Sequence, residues 1–218
     1  TMEVLFLGDS LMTSLDVSNF VTTNVKNMRG MFRECAGLVE LKGVDNFATD
    51  SLTVIEQMFA KCRRLKKLDL SKYDTSRVVD LTYVFYECED LEELNLSGWV
   101  TSQDTTMRSL FYNCFSLSKL DLSSFDTRNV NHFQWFLTNA GVNNLILGPD
   151  FVFNNKILAA VDAADAEDKE TNPFYACIEQ GNSSYSIWCN EQTYKDLRDR
   201  ICPKVAGFEW YWEGAVTP

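Results

Sequence analysis

The chain has 218 residues, 45% of them hydrophobic and 23% charged, with a formal net charge of −11 and one histidine. That length builds one or two domains with a substantial core, and no apolar run approaches the roughly 18 residues that span a bilayer. The acidic balance argues against a nucleic-acid surface, which needs clustered Lys and Arg, and a lone histidine removes most His-based catalysis and most zinc sites.

Read from the N-terminus, the chain repeats. Cys35, Cys62, Cys88 and Cys114 are 27, 26 and 26 residues apart. The same step carries an aromatic column (Phe20, Phe47, Tyr73, Trp99, Phe125), a phenylalanine column (Phe6, Phe32, Phe59, Phe85, Phe111) and a leucine column (Leu15, Leu41, Leu68, Leu94, Leu120). Met2, Leu5, Phe6, Met12 and Leu15 align with residues 26 positions later. The alignment therefore predicts that the chain opens partway through a repeat, with further repeats upstream.

Each repeat has two textures. Leu65-x-x-Leu68-x-Leu70, with its copies from Leu91 and Leu117, alternates as a short half-buried strand does. An Asp-Thr pair such as Asp74-Thr75 or Asp126-Thr127 then supplies turn and N-cap chemistry. Val78, Leu81, Val84, Phe85 and Cys88 follow with the spacing of one helix face. One strand and one helix per 26 residues predicts an α/β, leucine-rich-repeat-like solenoid over 1–148, with a parallel sheet on one side and helices on the other. The second repeat carries one extra residue near Lys42-Gly43. Asp104 stands where other repeats place Val or Leu, which predicts a late start for the fourth helix.

Residues 149–218 differ. All four prolines fall here, and 12 acidic against 6 basic residues give the segment a net −6, leaving −5 for the rest. A short helix running into an acidic loop is expected over 159–172, strands at 185–189 and 208–212, and a helix between Glu191 and Ile201. Together these form an α+β cap over the end of the solenoid.

The pattern in residues 15–38, 68–91 and 120–137, with its Asp-Thr, Met-Phe and Cys positions, resembles the BspA-like leucine-rich-repeat family of bacterial surface proteins. The resemblance implies a secreted or lipid-anchored cell-surface protein that adheres to host or microbial surface proteins or glycans. It carries no catalytic residues. The expected module is a non-enzymatic monomer with no cofactor, no metal, no nucleic-acid partner and no membrane insertion of its own. A stalk end without a ligand, or an enzyme or inhibitor, are the other readings.

Outward strand positions supply the candidate partner-binding residues Glu40, Lys42, Lys67, Asp69, Glu93, Asn95, Lys119 and Asp121, joined by Trp210 and Trp212. The first outward column alternates in sign, which also suits a ladder of mutually paired charges. Tyr83, Tyr86, Tyr112 and Trp135 lie off the buried face and can form a convex aromatic patch or cover the turns. Cys35, Cys62, Cys88 and Cys114 read as small core residues. Cys177, Cys189 and Cys202 can hold one disulfide or stay reduced. His132 is expected to be exposed, and the acidic run from Asp162 to Glu170 lacks the order of an EF-hand loop.

Overall fold

The computed structural model of the chain describes residues 1–142 and 144–155, with the backbone of two later strands. Each repeat forms one short strand: β1 (Ser14–Asp16), β2 (Glu40–Lys42), β3 (Lys67–Asp69), β4 (Glu93–Asn95), β5 (Lys119–Leu122) and β6 (Asn144–Leu147). Strands β7 (Ser186–Cys189) and β8 (Glu209–Trp212) fall where the sequence predicts them. All pairings are parallel, grouped as β1-β2, β3-β4 and β5-β6-β7-β8. The interruption between β2 and β3 coincides with the extra residue near Gly43. There the backbone takes φ +78° so close to Ser18 that a Cβ would lie 2.4 Å from its backbone nitrogen, and the 3-10 turn Val44–Asn46 follows. The expected cap helix and acidic loop, with Cys177 and Cys202, lie outside the described residues.

The expected helices do not form: none of the described residues from 1 to 154 is α-helical, so the α/β solenoid is corrected to coils of short strands and tight turns. Hydrogen bonding shows why. An α-helix closes N–H groups onto the carbonyl four residues back. Here Gln57, Phe59 and Lys61 donate instead to the carbonyls of Thr82, Val84 and Tyr86 in the next coil, at 3.1, 3.0 and 2.6 Å. The intervening Met58, Ala60 and Cys62 donate only three residues back, to Ile55, Gln57 and Phe59. Two left-handed residues per coil make this path possible, in columns that include Gln57, Tyr83, Ser109 and Trp135, and Lys61, Glu87, Asn113 and Asn139.

Coil spacing leads to the same result. The phenylalanine rings of successive coils from Phe6 to Phe111 stack face to face with centroids 5.5–5.9 Å apart. Packed helices need about 8–10 Å between axes, so one helix per coil does not fit. The apolar positions read as a helix face are nonetheless the core: Val78, Leu81, Val84, Phe85 and Cys88 are all fully buried.

Polar groups inside the stack are satisfied between coils. Thr75, Thr101 and Thr127 are buried, and each hydroxyl bonds both N–H and C=O groups of the next coil. The threonine of the Asp-Thr pair is therefore a coil-to-coil clamp. Its aspartate makes the turn: Asp74 and Asp126 each accept the N–H two residues on. The Tyr73 hydroxyl and the Trp99 indole donate to the carbonyls of Val44 and Leu70 in the preceding coil.

The cysteine column follows the same rule. The thiols of Cys62, Cys88 and Cys114 donate to the carbonyls of Phe32, Phe59 and Phe85 at 3.0–3.2 Å, and all four column cysteines are buried. Burial pushes the Cys35 thiol up to about 11 and holds Cys62 and Cys88 well above the ordinary range, so these are not thiolate nucleophiles. Cys88→Ala removes buried sulfur and strips the Phe59 carbonyl of one donor. The expected loss is about 1–3 kcal/mol, read as a lower urea midpoint with an unchanged slope.

Candidate functional site

The coil repeat sets the outward side chains of β2 to β5 in rows. Alternation along each strand turns Leu41, Leu68, Leu94 and Leu120 inward and the residues on either side of them out. Glu40, Lys42, Lys67, Asp69, Glu93, Asn95, Lys119 and Asp121 are all exposed. Parallel register brings Lys67 opposite Glu93 and Asp69 opposite Asn95, while Lys119 stands opposite Asn144 and Asp121 opposite Ile146.

Much of this face is occupied by its own contacts. Lys67 and Glu93 form an ion pair, Lys66 bonds Glu92 at 2.9 Å, and Lys42 meets Glu40 at 3.2 Å. The Lys66–Glu92 hydrogen bond raises the lysine's affinity for its proton and lowers that of the glutamate. Exposed pairs of this kind add little stability, but they leave less charge for a partner. Lys119 forms no ion pair among the described residues.

The second outward column closes turns. Asp69 Oδ1 accepts the Ser71 N–H at 3.0 Å and its hydroxyl at 2.7 Å, which holds the carboxyl below its usual range. Asn95 and Asp121 accept the N–H groups of Ser97 and Ser123 at 3.2 and 3.0 Å. These are Asx turns, in which the side chain stands in for a backbone carbonyl. Asp69, Asn95 and Asp121 thus shape the strand exits, and Glu40, Lys67, Glu93 and Lys119 form the variable outer row.

Trp210 and Trp212 lie on β8, remote in sequence but continuous with the same sheet. Trp210 is in register with Ile187, which pairs Leu145, which pairs Leu120; Tyr211 lies in the row of Trp188, Ile146 and Asp121. By register, Tyr211 and Trp188 continue the Asp121 row, whereas Trp210 continues a row whose described leucines are buried.

The turn side of the coils carries a second surface. Tyr86 stacks on Tyr112 with centroids 5.0 Å apart and 13° between planes, and Tyr83 meets Tyr86 edge-on at 5.1 Å. One coil further, the Arg108 guanidinium sits 4.8 Å from the centre of the Trp135 ring. All four aromatic residues are half-buried and Arg108 is exposed. The aromatic residues are legible in the sequence. Arg108 is not, because an exposed charge outside the periodic columns has no signal of its own.

Among the described residues, no three His, Cys, Asp or Glu side chains converge to hold a metal ion. His132 is exposed at the start of a turn, bridged through its backbone to Thr106.

These features define a coiled repeat protein with a charged strand face and an aromatic turn face. The chain belongs to the family described as "Mycoplasma protein of unknown function, DUF285", whose model matches residues 1–42 and 37–147. No curated protein and no solved structure matches the chain.

Proposed function

We propose that this chain is a non-enzymatic interaction module of a bacterial cell-surface protein, and that it binds a protein or glycan of a host or neighbouring microbe through its rigid repeat surface. Its repeats resemble the BspA-like surface family, in keeping with an extracellular setting. The observation that carries the reading is the row of outward side chains fixed at coil spacing by a fully buried ladder. A surface already ordered loses little conformational entropy on docking, which favours contacts spread over several coils. The module acts as a monomer, without cofactor or nucleic acid.

The self-paired charges of Lys67–Glu93 and Lys66–Glu92 support a second reading, a stalk that presents other parts of a larger protein. Attachment of the purified chain to immobilised host matrix proteins and mucus separates the two. The expected result is saturable attachment, weakened at least tenfold by combined Lys67→Ala, Glu93→Ala and Lys119→Ala substitutions that leave the melting temperature in place. No attachment at all, or attachment indifferent to the triple change, rejects the strand face and favours the stalk.

A further inference from the structure

We propose that the turn-side surface formed by Tyr83, Tyr86, Tyr112 and Trp135 with Arg108 is a binding site for a sugar chain that bears a carboxylate. The proposal rests on the reading of the chain as a binding module but uses a different face from the charged strands.

Three observations carry it. The first is the backbone. Tyr83 and Trp135 have φ of 61° and 57°, a left-handed conformation that is unusual for a bulky aromatic residue. Equivalent positions in other coils hold Val4, Gly30, Gln57 and Ser109. The left-handed turn recurs whatever side chain it carries, so neither the turn nor the core requires an aromatic ring at residues 83 and 135.

Continuity is the second observation. Tyr83 donates its N–H to the Arg108 carbonyl at 3.1 Å, and Ser109 donates to the Gln134 carbonyl at 2.9 Å. The rings are thus mounted on three consecutive, hydrogen-bonded coils. Half-buried tyrosine and tryptophan present an apolar face with a polar edge, which suits the C–H face and the hydroxyl rim of successive sugar rings.

Charge is the third. In a chain of net charge −11, Arg29, Arg33, Arg63 and Arg128 each lie within 4 Å of a carboxylate, whereas Arg64, Arg77 and Arg108 form no ion pair among the described residues. What sets Arg108 apart from the other two is its guanidinium, which is spread over the Trp135 ring. A planar, pre-oriented fork with free donors matches a carboxylate by two parallel hydrogen bonds. Stacking on the indole also limits the rotamer freedom lost when the acid docks. A neutral sugar would use the rings but leave this cation idle.

The experiment is a titration of the whole chain with oligogalacturonate, with sialyllactose and with neutral maltohexaose, followed by calorimetry and tryptophan fluorescence. Saturable binding of at least one carboxylated sugar is expected, weakening as salt rises, with maltohexaose at least tenfold weaker. Whichever acid binds identifies the source, a uronic-acid polymer or a sialylated glycan. Arg108→Gln and Trp135→Ala should each weaken binding at least tenfold, and Lys67→Ala should not change it. Arg108 is exposed, so Arg108→Gln keeps its fold and decides the matter if Trp135→Ala does not. Failure of both acidic sugars to bind, equal binding of maltohexaose, or an Arg108→Gln chain that binds like the parent overturns the proposal. Binding here alongside strand-face variants that attach normally would sink the strand-face reading alone.

Discussion

Phe85→Asp unfolds the coil stack at neutral pH, while Phe85→Leu leaves it folded with a lower melting temperature. Phe85 is fully buried and lies at the junction of both aromatic columns: 5.9 Å from Phe59, 5.7 Å from Phe111 and 6.0 Å from Trp99. Removing a buried phenylalanine ring costs about 3–5 kcal/mol. A carboxylate in its place adds the cost of burying an unpaired charge, again several kcal/mol. A domain of this size has about 5–15 kcal/mol in total. Position sharpens the effect, because a stack of coils gains stability from neighbour-to-neighbour interfaces and Phe85 belongs to two of them. Urea unfolding followed by tryptophan fluorescence checks the result. A Phe85→Asp chain with the parent's midpoint would contradict the stacked core.

The same ladder shows what a sequence can reveal here. The repeat step, the strand positions and the buried columns are properties of spacing, and spacing is written in the sequence directly. The conformation between strands is not. Val78, Leu81, Val84 and Cys88 follow one another by three or four residues, with Phe85 beside Val84, and a chain of four-residue turns produces that spacing as readily as a helix of 3.6 residues per turn. Over eleven residues the two periods do not separate. The composition of the segment did hold a warning: Val78, Val79, Thr82, Tyr83, Val84, Phe85 and Tyr86 are β-branched or aromatic, types that lose side-chain freedom in a helix. The strand face was legible in position but not in its contacts. Residue order predicted Lys67 beside Glu93, whereas the Asx turns of Asp69, Asn95 and Asp121 depend on a backbone bend that spacing alone does not specify.

Asp104→Val should make the chain more stable at pH 7, by up to about 4 kcal/mol from the ionisation alone. Asp104 is fully buried, and neither carboxylate oxygen has a hydrogen-bond partner among the described residues. Its coil does not start late to accommodate it. The Asp104 N–H bonds the Thr101 carbonyl at 3.0 Å, as Val78 bonds Thr75 and Val130 bonds Thr127. The backbone thus keeps its turn and carries the acid into a column of Val25, Leu52, Val78 and Val130.

Burial first, and the nearby Asp80 second, push the Asp104 carboxyl up to about 8 from an ordinary value near 3.8. The consequence for stability has a definite sign. Below pH 4 both folded and unfolded chains hold the proton, and the group costs only its buried polarity. Between pH 4 and 8 the unfolded chain releases the proton and the folded chain must retain it, so stability falls by up to about 1.4 kcal/mol per pH unit. Above pH 8 both forms are ionised and the loss levels off. Thermal melts of parent, Asp104→Val and Asp104→Asn chains from pH 4 to 8 test this. The parent should lose stability relative to both variants as pH rises. Asn removes the titration but leaves a buried polar group, so it should lie below Val by a constant offset. Because every other ionisable group is shared, a parent and variants that stay parallel across this range would mean that Asp104 ionises in the folded chain as freely as in the unfolded one.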